Sequence, residues 1–300
     1  MKQIAILGGG VAGLTAAVYA LRANAEVTLF EQYGLGGLTA TIAEIQNYPS
    51  YKSIEGWQLA DSMAQQAKAL GLKTVRSRVL SLTKNGNGFT VTTEKGEFVF
   101  PSVIVATGTA HNKLGFEAPY VGKGVSYCAT CDGNFYKNLP VAVVGGGNPA
   151  VREALYLSDL CKTVYVIVPQ AAFSAEERAV CDLLHKQNVV TLFNSQVSAI
   201  TCDETVSAID VFDGKNTQKL AVNGLFVAIG AVPVTDFINI EGLDKQNGYL
   251  VVDGKAETSV EGLFAAGDVT FGTLKQIVTA CADGAKAGTF ASAYASKFSK

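Results

Sequence analysis

The sequence predicts an α/β protein of two Rossmann-like domains, of the three-layer ββα type, with the second inserted in the first. Three observations carry this. A strand, a glycine loop, a helix and a second strand follow one another at the N-terminus. The same order returns with about 137 residues between the two glycine fingerprints, and the C-terminal stretch has no domain of its own.

Composition sets the frame. With 300 residues, 48% hydrophobic and 17% charged, the chain can bury a substantial core in about two domains, which excludes disorder as its main state. The 24 basic and 26 acidic residues leave a formal charge of −2, so there is no nucleic-acid track and no polybasic membrane patch; the expected partners are small molecules or ordinary proteins. Six cysteines are too few for a disulfide scaffold and only Cys128 and Cys131 stand close together, which points to a reducing compartment; Cys161, Cys181, Cys202 and Cys281 read as buried, inert thiols. Residues 4–21 are uncharged, but Gly8, Gly9, Gly10 and Gly13 interrupt them where a strand should turn into a helix. The reading is a cytoplasmic protein without a membrane anchor.

Each element has its own justification. The run Lys2-Gln3-Ile4-Ala5-Ile6-Leu7 is a short strand ending at glycine, residues 12–23 have helical periodicity, and residues 26–30 are a second apolar strand. Residues 57–70 form an amphipathic helix, 74–100 read as a strand hairpin turning at Asn85-Gly86-Asn87-Gly88, and 103–106 is a buried strand before a glycine-containing stretch at 108–124. The second unit comprises a strand at 141–144, a helix at 149–160 and a strand at 164–168. After a strand at 225–229 the chain runs through 238–248 to 263–268 and a long helix from about residue 274. This end is expected to complete the first domain, giving residues 1–112 and 240–300 as one domain and 113–239 as the insertion.

Gly8-x-Gly10-x-x-Gly13 follows a strand and opens a helix, and Glu31 ends the next strand. This is the dinucleotide fingerprint: glycines allow a tight turn and close approach to a pyrophosphate, the helix start offers N–H donors, and the acid accepts ribose hydroxyls. Gly145-x-Gly147-x-x-Ala150 repeats the loop in poorer surroundings. Pro149 has no N–H, and the following strand ends Val168-Pro169-Gln170-Ala171-Ala172-Phe173, with neither an acid for an NAD ribose nor an arginine for a 2′-phosphate. Either a nicotinamide cofactor binds there or the fold persists with a weakened site.

Cys128-Ala129-Thr130-Cys131 admits three readings: half a zinc site, an accident, or a redox pair. The chain has no second such motif and only His111 and His185 as histidines, so zinc would need scattered partners. A two-residue spacer lets the sulfurs close a ring and stabilise a thiolate. Asp132 follows, placed either to shuttle a proton or to cap a turn before Gly133.

The segment CATCDG at 128–133, ahead of a GGG loop and inside an inserted domain, resembles the low-molecular-weight flavoprotein thioredoxin reductases. The likeness runs along nearly the whole chain: LGGGVAGLTAA at the start, Gly36-Gly37, Asn47-Tyr48-Pro49, Ala106-Thr107-Gly108, Ala228-Ile229-Gly230, Phe264-Ala265-Ala266-Gly267-Asp268-Val269 and Lys275-Gln276. The resemblance implies a homodimer that binds FAD through Gly8, Gly10, Gly13, Glu31, Gly37, Asn47, Gly108, Gly267, Asp268 and Gln276, with Asp268 at the ribityl–phosphate part and Gln276 near the isoalloxazine. It implies that Cys131 faces the flavin, that Cys128 exchanges with a thioredoxin-like substrate, and that Asp132 is the acid/base.

Several positions depart from the family pattern. Leu38 replaces a glutamine and Lys275 an arginine, Asn148-Pro149 stands in the GGGDSA segment, and the arginine-rich segment after Val168 is missing. In this the chain is similar to the divergent flavin thioredoxin reductases that do not use NADPH, one branch of which takes electrons from ferredoxin. NADPH is therefore doubtful as donor and ferredoxin is an alternative. Two competing functions remain at this level: a dithiol oxidase passing electrons to oxygen, and a non-catalytic FAD-binding redox sensor.

Overall fold

A computed structural model describes residues 2–42, 44–86, 88–272 and 274–298 of the chain. Its contacts divide it into two units, Met1–Ala110 with Val232–Lys300, and His111–Ala231.

The first unit is built on a five-stranded parallel sheet in the order Leu263–Ala265, Ser102–Val105, Gln3–Leu7, Glu26–Glu31, Lys73–Arg76. Its central strand is apolar at consecutive positions because both faces are covered. Ile4 and Ile6 point to one side, among Leu14, Ala16, Ala17 and Ala20 of the helix Val11–Arg22 and Ala287 and Ala291 of the helix Ile277–Ala295. Ala5 and Leu7 point to the other, among Leu82, Phe89, Val91 and Phe100. Those residues belong to an antiparallel three-stranded sheet of Val79–Asn85, Gly88–Thr93 and Gly96–Phe100, so the layers are helix, parallel sheet and antiparallel sheet. The two helices meet almost backbone to backbone: a Cβ on Gly284 would lie 2.3 Å from the Ala12 carbonyl, and one on Gly288 would lie 2.4 Å from that of Ala16.

The second unit repeats the plan. Its parallel sheet runs Val189–Phe193, Thr163–Val168, Pro140–Val144, Gly224–Val227, Val125–Ser126. Val141 and Val143 pack on Ala150, Val151, Ala154 and Leu157 of the helix Asn148–Ser158. Ala142 and Val144 face Val197, Ile209 and Val211 from the antiparallel sheet Gln196–Cys202, Val206–Phe212, Thr217–Ala221. The expected α/β class with two Rossmann-like domains of ββα type is what the structure has.

Local details differ from the sequence reading. Residues 74–100 are not one hairpin: Lys73–Arg76 joins the parallel sheet and three strands follow, of which only the second, Gly88–Thr93, alternates cleanly in burial. Asn87 of the expected turn lies outside the described residues. The last helix begins at Ile277, where Gln276 and Thr279 form a reciprocal capping box. The second crossing between units falls at Ala231/Val232, ahead of the expected residue 240, because Leu82 binds both sides of residue 238, accepting from Asn239 N–H and donating to the Phe237 carbonyl at 2.9 Å each.

Candidate active site

The glycine loop of the first unit separates two uses of glycine. Gly8 has φ +107°, and a Cβ there would sit 2.3 Å from the Ala106 carbonyl; on Gly13 it would sit 2.0 Å from the carbonyl of Gly8. The fold itself requires both. Gly10 is different: its φ of −71° suits any residue, and an added Cβ would meet nothing within 4 Å. It is the N-cap of Val11–Arg22, where no side chain caps the helix and no acid occupies the first turn. The chain gives no steric reason for this glycine, and an open, uncapped helix start suits a phosphate brought close to the backbone. The group that this fold class takes there therefore fits the residues present.

Neighbouring positions complete the cradle. Glu31 accepts Gly9 N–H at 2.8 Å and Tyr33 N–H at 2.9 Å, which holds its carboxylate beside the loop with lone pairs to spare. Gly36 N–H donates to the Gly9 carbonyl at 2.8 Å, and Gly37, with φ +56°, lies so close that its Cβ would be 3.0 Å from Gly10 Cα. The Asn47 amide donates to Gln276 Oε1 at 3.0 Å, joining positions far apart in sequence. Gly108 accepts Val234 N–H at 3.1 Å beyond the strand Ser102–Val105. At Gly267, φ +76°, a Cβ would lie 2.8 Å from that of Ala12, so Asp268 follows a turn pressed against the first helix.

Asp268 opens on a cavity of about 250 Å³ that it shares with Lys275, Asp283 and Lys286. Burial holds its carboxyl above the usual carboxylate range, opposed by Lys275 and reinforced by Asp283. Burial likewise lowers the Lys275 ammonium, which donates to the Thr270 carbonyl and lies 4.9 Å from the Tyr249 ring centre.

In the second unit Cys128 and Cys131 are joined as a disulfide with their Cα atoms 5.3 Å apart. Cys128 is the N-cap of the one-turn helix Ala129–Asp132, and its carbonyl accepts Asp132 N–H at 3.1 Å. Ser126, a residue the sequence reading passed over, takes the Cys128 N–H on its hydroxyl at 3.0 Å; Ser-x-Cys is a local turn signal that could have shown it. Burial raises the Asp132 carboxyl above its ordinary value, tempered by a hydrogen bond from Ser126. Tyr136 is pushed up to about 12 by burial, with Asp132 and Cys161 adding to it. An acid whose proton affinity is raised by burial, next to a disulfide, is equipped to pass a proton to a departing thiolate. The other cysteines correct an expectation: Cys161 is buried, but Cys181 is exposed and Cys202 and Cys281 are intermediate, Cys181 lying on the outer face of the helix Glu177–Leu184. Among the described residues no cluster of possible metal ligands occurs, and no helix is long and apolar enough to cross a membrane.

The second glycine loop is a copy with its charge removed. Ser174 N–H donates to the Gly146 carbonyl at 2.8 Å, as Gly36 does to Gly9. Val168 takes the place of Glu31: a Cβ on Gly146 would sit 2.7 Å from Val168 Cγ1, where one on Gly9 would sit 3.1 Å from Glu31 Cγ. Gly147 retains room, with 3.7 Å to the nearest atom. The loop could admit a ligand but offers no carboxylate, arginine or lysine from residues 168–173 to select one.

The family model for pyridine nucleotide-disulphide oxidoreductases matches residues 2–284. A thioredoxin reductase from Treponema pallidum is 38% identical over 297 residues, covering 97% of this chain and 96% of the relative. The crystal structure of thioredoxin reductase from Streptococcus pyogenes MGAS5005 is similar at TM-score 0.92 and 32% identity, covering 99% of both chains. A ferredoxin-flavin thioredoxin reductase from Clostridium acetobutylicum is 28% identical over 99% of both chains, at TM-score 0.55.

Proposed function

This chain belongs to the pyridine nucleotide-disulphide oxidoreductase family, as a thioredoxin reductase-like flavin disulfide oxidoreductase, and on that premise we propose that it reduces a thioredoxin-like protein with electrons from a donor other than NADPH. The observation that carries the reduction is the bonded Cys128–Cys131 pair followed directly by Asp132, whose carboxyl burial shifts upward. Bound FAD would supply the two-electron step that opens this disulfide. Gly10 and the uncapped helix start would hold its pyrophosphate, Glu31 its ribose, and Asp268, Asn47 and Gln276 the remainder.

After reduction the chain's own residues do the exchange. The Cys128 thiolate attacks a sulfur of the substrate disulfide and forms a mixed disulfide, while the substrate's other sulfur leaves as a thiolate. Cys131 then attacks Cys128, releasing the second substrate thiolate and closing the Cys128–Cys131 bond. Asp132 relays a proton to each departing sulfur, one from the Cys131 thiol and one stored beside the reduced pair, and ends as it began, so two electrons and two protons pass to the substrate.

The donor assignment rests on the second loop. A 2′-phosphate is ordinarily met by arginine forks whose charge-assisted bonds contribute about 1.5–3 kcal/mol each. Losing two such contacts weakens binding by at least about a hundredfold. NADH escapes this but finds Val168 where an acid should be, and Pro149 withholds a donor from either nucleotide. A ferredoxin, like the one named for the Clostridium relative, needs none of these groups. Anaerobic stopped-flow mixing of the oxidised flavoprotein with NADPH, NADH and reduced ferredoxin tests the assignment. Fast bleaching by ferredoxin alone is expected, whereas complete bleaching by NADPH at the rate of thioredoxin turnover restores an NADPH-dependent reductase. The reading includes a cytoplasmic homodimer, tested by light scattering and fractionation.

A further inference from the structure

Glu153 is an acid on the wrong face of its helix. The buried residues of Asn148–Ser158 include Ala150, Val151, Ala154 and Leu157, and position 153 lies three residues after the first of these and four before the last, on the stripe that meets the core. Its carboxyl lies toward the backbone N–H of Ala129, the residue directly after Cys128 on the one-turn helix that this helix packs against, and its Oε2 is buried with no hydrogen-bond partner. An ionised carboxylate in that seat keeps one oxygen desolvated and unbonded; the neutral acid does not carry that penalty. By bond lengths, a group on the Ala129 N–H lies within roughly 7 Å of the Cys128 sulfur.

We propose that Glu153 is a positioning residue for the redox pair: its carboxyl, seated toward the Ala129 N–H beside Cys128, takes up a proton when the Cys128–Cys131 bond is reduced and releases it when the bond re-forms. The proposal rests on the reading of this pair as a redox couple. In the balanced step, disulfide, two electrons and one proton give one thiolate and one thiol, while the Glu153 carboxylate takes a second proton. On reoxidation the electron pair goes to the substrate disulfide and both protons leave with its thiols.

The electrostatics agree. Burial pushes the Glu153 carboxyl up to about 7 with the pair oxidised, opposed only by the Ala129 N–H. A thiolate formed nearby raises its proton affinity further, on the order of tenfold or more. The elements packed against it carry Cys128, Cys131 and Asp132 on the one-turn helix, Tyr136 just beyond it and Tyr165 on the neighbouring strand. The helix Glu177–Leu184 adds Glu177, Arg178, Cys181 and Asp182, and its own helix Arg152 and Tyr156. None of these sets the Glu153 proton affinity in the oxidised protein; burial and the Ala129 N–H do.

The test is an equilibrium titration of the purified full-length chain against dithiothreitol redox buffers from pH 6 to 9, anaerobically, with the Cys128–Cys131 state read by alkylation and mass spectrometry. Wild type and Glu153→Gln should run parallel below about pH 7. Above it, wild type should become harder to reduce than the variant by up to tenfold per pH unit, about 30 mV for a two-electron couple. Asp132 is common to both proteins and cancels in the difference. A constant offset, or coincident curves at every pH, overturns the proposal, since a purely structural role gives that result. Labelling the glutamate carboxyls of wild type with carbon-13 gives a reading that needs no variant. One carboxyl should titrate near 7 in the oxidised protein and higher in the reduced, and an unchanged titration refutes the role. A wild-type disulfide that resists every buffer ratio overturns the redox reading itself, an outcome distinct from failure of the Glu153 role.

Discussion

Gly10→Ala and Gly13→Ala should separate flavin binding from folding. At Gly13 the new methyl would be 2.0 Å from the Gly8 carbonyl, so backbone must move. Overpacking of this kind costs about 1–3 kcal/mol, against a gain of up to about 1 kcal/mol in helix propensity. At Gly10 the methyl meets nothing within 4 Å and φ is −71°. Lower entropy of the unfolded chain stabilises by about 0.4–1 kcal/mol, and replacing glycine by alanine at an N-cap removes a similar amount, so stability should stay within about 0.5 kcal/mol of wild type. The same methyl points into the space argued to receive a pyrophosphate. If it displaces two N–H···phosphate bonds worth about 1.5 kcal/mol each, FAD affinity falls by about a hundredfold. Urea unfolding of the flavin-free proteins measures the first quantity and fluorescence titration with FAD the second. A Gly10→Ala protein that binds FAD as wild type does would refute the division of the glycines, as would one that loses stability like Gly13→Ala.

Three further outcomes are expected. Cys128→Ser should retain a long-wavelength thiolate-to-flavin charge-transfer band and Cys131→Ser should lose it, both abolishing thioredoxin reduction; a band surviving in Cys131→Ser exchanges the two roles. Glu117 is fully buried and accepts Tyr127 OH at 2.7 Å, Leu114 N–H at 3.0 Å and Gly115 N–H at 2.9 Å. Burial works to raise its carboxyl, and the hydrogen bonds outweigh it and hold it low. Its stabilisation is then complete above the unfolded value of about 4.3 and lost as the pH falls through the lower folded one. Glu117→Gln should lower the urea midpoint at pH 7, by about 1–3 kcal/mol of stability, and the gap to wild type should narrow at acid pH. Placing an acid and a donor in the second loop with Val168→Glu and Pro149→Ser should raise the rate of flavin reduction by NADH; an unchanged rate in a folded protein removes the loop from the donor argument.

The two-layered sheets were readable because burial on both faces makes continuous apolar strands, as at 3–7 and 140–144, and glycine loops mark where those strands end. The fully buried strands 102–105 and 224–227 were legible for the same reason. The edge strands were harder. Strand 189–193 is only half-buried and 217–221 largely exposed, so neither carries a period that stands out from loop sequence. The start of the last helix was misplaced because the Gln276–Thr279 capping box is a side-chain arrangement without the usual serine or aspartate at its head.

By itself the sequence determined the features that depend on short spacing: two glycine fingerprints, the acid after one and the valine after the other, the cysteine pair and the aspartate next to it. Local geometry imposes these whatever the rest of the chain does. Only the tertiary structure decided which glycine the fold needs and which it leaves open. It alone set Asn47 against Gln276, and it alone put the Glu153 carboxyl toward the Ala129 N–H. Such meetings join residues far apart along the chain, and packing helices on sheets brings them together because each element must bury its apolar face.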